Sequence, residues 1–93
     1  MKKVTKKVET TKKVKATIRI FGRIFNSEGE TIKEAIANLS VKNGKGRSVL
    51  TIEKDGKTKE RILQPNVSFR LFNSAGLVRE IVLKQISLLF EGI

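Results

Sequence analysis

A chain of 93 residues with 39% hydrophobic content can build one modest core and has little room for a second domain. Its net charge is +11, from 20 Lys and Arg against 9 Asp and Glu. Cys and His are absent, which excludes disulfides, thiolate chemistry, histidine acid–base catalysis and zinc sites of the usual kind.

The charge is uneven. Residues 1–15 hold seven Lys and one Glu, a net of +6, while the rest of the chain holds 13 basic and 8 acidic groups, a net of +5. A basic arm ahead of a basic body points to a polyanionic partner, DNA, RNA or an anionic surface, more than to solubility alone. No stretch approaches the ~20 apolar residues that span a bilayer, so no membrane partner is expected. Arg19 and Arg23 interrupt residues 16–25 and no apolar h-region follows the basic start, so a signal peptide is not expected. The expected location is the cytoplasm, or a particle such as a virion if the protein is packaged.

In chain order, residues 1–13 are predicted to be a flexible basic arm carrying Lys2, Lys3, Lys6, Lys7, Lys12 and Lys13. A single domain over 14–93 follows. Val14 to Phe25 alternates in polarity and reads as one strand. Ile18, Ile20, Gly22 and Ile24 fall on one face, and Arg19, Phe21, Arg23 and Phe25 on the other. Asn26 to Gly29 reads as a turn. Residues 31–39 read as a helix: Thr31 can cap the amide of Glu34, Glu34 can return the bond, and Ile32, Ala35, Ile36 and Leu39 share a face.

Residues 42–47, "KNGKGR", form a basic glycine loop. Residues 48–63 read as a hairpin about Asp55-Gly56, with two-residue and three-residue loops both compatible. Gln64-Pro65-Asn66 breaks the run. Residues 67–74 favour a strand, with a helix as the competing reading, and Asn73-Ser74 reads as a stop followed by a cap. Residues 75–90 are a helix with one narrow polar stripe, Glu80, Lys84, Ser87 and Glu91. The expected fold is α+β: a small sheet of about four mainly antiparallel strands with two helices, in the order β-α-β-β-β-α.

Three features bear on chemistry. The Arg/Phe face of residues 19–25 suits base stacking with arginines on phosphates. It equally suits rings packed beneath the terminal helix, which is favoured because so apolar a helix needs apolar surface under it. In the glycine loop, Lys42, Lys45 and Arg47 can attract an anion that the glycines let the backbone approach, although a solvated turn explains the loop equally well. No Walker pattern is present. Glu28, Glu30 and Glu34 cluster at a helix start, where the dipole accounts for them. No paired carboxylates or activated nucleophile stand out, so the chain is read as non-enzymatic, with no cofactor and no metal.

The predicted function is nucleic-acid binding through the phosphate backbone. The contacts are Lys2, Lys3, Lys6, Lys7, Lys12 and Lys13 of the arm, Arg19 and Arg23, Lys42, Lys45 and Arg47 of the loop, and Lys54, Lys57 and Lys59 of the hairpin. The alternative is a structural or assembly subunit of a virion or other particle, self-associating as a homo-oligomer through the terminal helix. Its interface would hold Leu83, Leu88, Leu89 and Phe90, since no single helix face can bury three consecutive apolar residues.

The segments "IRIFGRIF" and "GETIKEAI" resemble the opening of the ubiquitin-like sulphur carriers, a resemblance that would imply a C-terminal Gly-Gly thiocarboxylate. The chain departs from that pattern, ending Phe90-Glu91-Gly92-Ile93, and nothing is carried over from it.

Overall fold

The computed structural model describes residues 13–42 and 44–92. In chain order it contains β1 (Val14–Ile20), β2 (Arg23–Gly29), α1 (Ile32–Ala37), β3 (Ser48–Lys54), β4 (Lys57–Leu63), α2 (Pro65–Asn73) and α3 (Gly76–Leu88). The strands form one antiparallel sheet in the spatial order β2-β1-β3-β4, and the class is α+β as expected. The two central strands have the clearest alternation. Val14, Ala16, Ile18 and Ile20 of β1 and Leu50 and Ile52 of β3 point inward and are buried. Ala35, Ile36, Leu71, Val82, Leu83, Ile86 and Phe90 meet them from the helical side in one hydrophobic core. The edge strands bury little, since edges have water on one side and can carry polar residues.

Two segments differ from the sequence expectation, and the strand count stays at four because the differences offset. Residues 14–25 are two strands joined by a tight turn at Phe21-Gly22, where φ is +54° and +73°. The turn passes unnoticed because its first position normally holds Asn, Asp or Gly. Since Ile20 pairs with Arg23, every residue after the turn changes side. Phe25 joins Ile18 on the inner face and Ile24 joins Arg19 on the outer one. Asn26 to Gly29 is therefore not a turn but the polar half of β2.

The second difference is α2. Pro65 starts a helix instead of only ending the hairpin, because proline at the first helical position lacks no N–H that the helix needs. Val67, Ser68, Leu71 and Phe72 then form its buried or half-buried face at i, i+1, i+4 and i+5. The observed order is β-β-α-β-β-α-α.

The Thr31 cap and the hairpin about Asp55-Gly56 follow the expectation. Thr31 Oγ1 accepts the Glu34 amide at 3.0 Å as expected, whereas the Glu34 carboxylate accepts the amide of Glu30 at 2.6 Å, one residue before the cap, and not that of Thr31. The β3–β4 hairpin closes through the two-residue loop Asp55-Gly56, with Lys54 opposite Lys57. At α3 the N-cap is Ala75 and not Ser74, with no side-chain cap.

Candidate functional site

The register arranges the outer face of the sheet in rows. Ile24, Arg19, Val49 and Ile62 form one row, Asn26, Thr17, Thr51 and Glu60 the next, and Glu28, Lys15, Glu53 and Thr58 the third. The first row lies beside the Phe21-Gly22 turn and the start of β3. The third lies beside the Asp55-Gly56 turn. Seven residues per strand separate the two ends by roughly 20 Å.

The predicted cations divide between these ends. Arg19, Arg23, Lys42, Lys45 and Arg47 lie at the Phe21 end, all of them exposed, but Arg19 and Arg23 do not share the face expected of them: Arg19 is on the outer side, and Arg23 is on the side of Ile20, beside Lys42. Lys54 and Lys57 flank the opposite turn, among Glu28, Glu53 and Asp55. Lys59 lies on β4, where its ammonium donates to the Glu91 carbonyl at 3.1 Å. Lys13 is exposed at the start of the described chain. Lys2, Lys3, Lys6, Lys7 and Lys12 lie outside the described residues.

Charge is thus segregated by position along the sheet. Residues 13–27, 35–52 and 64–79 contain no Asp or Glu, and the fold brings parts of all three to the Phe21 end. The last is tied there by α2: the buried hydroxyls of Ser48 and Ser68 share a 2.8 Å hydrogen bond, and the Asn73 amide donates to the Gly44 carbonyl at 3.5 Å. The nearest carboxylate on the outer face is Glu60, one row in, which lines the same shallow 160 Å³ depression as Arg19.

The glycines of the loop have a packing role. A Cβ on Gly44 would come within 2.5 Å of the Phe72 ring, and one on Gly46 within 2.6 Å of the Phe21 ring. Gly46 also holds φ at +124°, which side chains rarely tolerate. Gly44 and Gly46 are therefore each packed against an aromatic ring. The expectation of both Phe21 and Phe25 beneath the terminal helix fails for Phe21. Phe25 packs partly buried against the core, whereas Phe21 is 69% exposed.

On α3 the interface prediction needs correction. Leu83 and Phe90 are 1% and 0% exposed, inside the chain's own core, and cannot meet a partner. Leu88 and Leu89 are exposed. Leu77, Val78 and Ile81, outside the predicted interface, are exposed with them. At 3.6 residues per turn these five side chains fall within an arc of about 120°. The opposite arc buries Val82, Leu83 and Ile86. Arg79 fastens the helix end: its guanidinium donates to the carbonyls of Leu71 at 3.2 Å and Ala37 at 3.0 Å, joining α1, α2 and α3.

Among the described residues no group of His, Cys, Asp and Glu is placed to hold a metal ion, and no helix is long and apolar enough to cross a membrane. Compared with protein-family models, curated proteins and solved structures, the chain matches none.

Proposed function

We propose that this protein binds nucleic acid through its phosphate backbone, without enzymatic activity, using the Phe21 end of the sheet as its principal surface. The observation that carries this reading is the convergence of three carboxylate-free stretches there, with Arg19, Arg23, Lys42, Lys45 and Arg47 among them. A field of one sign attracts a polyanion, while the mixed charges at the Asp55-Gly56 end largely cancel. The basic arm is the second source of contacts.

The test compares two sets of neutralising variants in salt titrations of DNA and RNA binding. Lys42→Gln, Lys45→Gln and Arg47→Gln together should weaken binding and flatten the log–log salt slope by about 0.7–0.9 for each phosphate no longer neutralised. Lys54→Gln with Lys57→Gln should have a smaller effect. Equal weakening by both sets, or no binding at low salt, would overturn the reading.

The exposed arc of α3 favours a second reading, self-association as a structural or assembly subunit. Covering five half-exposed aliphatic side chains on each of two copies is worth of order 4–8 kcal/mol per copy, enough to support a weak dimer. A second copy of the chain is the occupant proposed, because a twofold axis lets the one apolar arc cover itself.

A further inference from the structure

We infer that the Phe21 end takes an unpaired nucleobase, so that the preferred ligand is single-stranded nucleic acid. The inference rests on the nucleic-acid reading above and adds the class of ligand. The two hairpins of the molecule differ in one telling respect. Both close through two-residue turns with positive φ at both central residues, +53° and +79° at Asp55-Gly56 and +54° and +73° at Phe21-Gly22. This turn type favours Asn, Asp or Gly in its first position, and a bulky side chain at positive φ is an outlier. Asp55 obeys the preference and Phe21 breaks it.

Burial does not compensate Phe21, because the residue is 69% exposed. Gly46 holds the ring in place, its backbone lying against the ring where a Cβ would clash. A strained, exposed and positioned aromatic is a residue kept for something other than folding. Beside it opens a cavity of about 290 Å³ lined by Ile20, Phe21, Arg23, Phe25, Val41 and Lys42. That volume lies near the lower limit for ligand pockets, suited to one heterocycle. Phe21 and Phe25 give the cavity aromatic walls, and Arg23 and Lys42 can take the flanking phosphates. Any base offers a π-face to such a ring, but a base inside a duplex is already stacked and paired.

The test is fluorescence anisotropy at low salt with labelled oligothymidylate, oligouridylate and a duplex of the same length. Both single strands should bind more tightly than the duplex. Phe21→Asn supplies the residue the turn prefers. It should leave the sheet folded by circular dichroism and lower single-strand affinity about 5- to 150-fold, well beyond any change in duplex affinity. Phe21→Leu, which keeps apolar bulk without a π-face, should lose the same preference, and Phe21→Trp should retain it. Equal affinity for duplex and single strands overturns this inference and leaves the backbone-binding reading standing, as does wild-type single-strand affinity in Phe21→Asn. Binding to none of the probes overturns both.

Discussion

Gly46 carries two constraints at once, a backbone conformation that excludes most side chains and a ring packed where its Cβ would be. Gly46→Ala should therefore destabilise the fold by more than ~1 kcal/mol, measured by denaturant unfolding. The Ser48–Ser68 pair makes a sharper prediction. Both hydroxyls are buried and each is the other's partner. Either Ser→Ala alone should cost about 1–3 kcal/mol by orphaning the remaining hydroxyl, while the double variant should lie much nearer the wild type. Strictly additive single and double effects would mean the hydroxyls do not depend on each other. None of this is visible in the residues themselves. "KNGKGR" reads as a phosphate cradle because glycine and lysine suit one, and only the rings of Phe21 and Phe72 reveal what the glycines accommodate.

At the level of elements, α1 is the best sequence-level inference. Its capping residues are neighbours in the chain, so the bond from the Glu34 amide to Thr31 can be anticipated from spacing alone. Thr31→Ala should cost about 0.5–2 kcal/mol in unfolding free energy and leave nucleic-acid affinity unchanged. For α3 the useful variants differ from those the sequence suggests. Ile81→Glu and Leu88→Glu alter the exposed arc and should shift sedimentation toward monomer with helical circular dichroism retained. Leu83→Glu instead places a carboxylate in the core and should unfold the domain. Retention of the oligomer in both arc variants, or a monomeric wild type at every concentration, would refute the self-association reading.

For the whole molecule, salt separates the two functional readings by sign. Backbone binding weakens with added salt through counterion release, whereas association of two chains of charge +11 gains as their repulsion is screened. Deleting residues 1–13 removes six Lys and one Glu and leaves β1 whole. The salt slope of DNA or RNA binding should then flatten by several units, with thermal unfolding of the sheet little changed. An unaltered slope would remove the arm from the binding surface.

Length, charge and the absence of Cys and His were legible without coordinates, and so was the α+β class. Alternation in β1 and β3 and the one-sided pattern of α1 are local properties of consecutive residues. The strand–helix decision for residues 65–73 was not legible. Phe69 and Phe72 fit either period, and only the core that receives Leu71 and Ser68 selects the helix. The side on which Phe25 and Ile24 lie was hidden for a related reason: a two-residue turn reverses the parity of everything after it, and Phe-Gly does not look like such a turn. The sequence supplied the amount of positive charge. Where it collects was decided by the tertiary structure, because antiparallel pairing brings the ends of distant acid-free stretches to one end of the sheet.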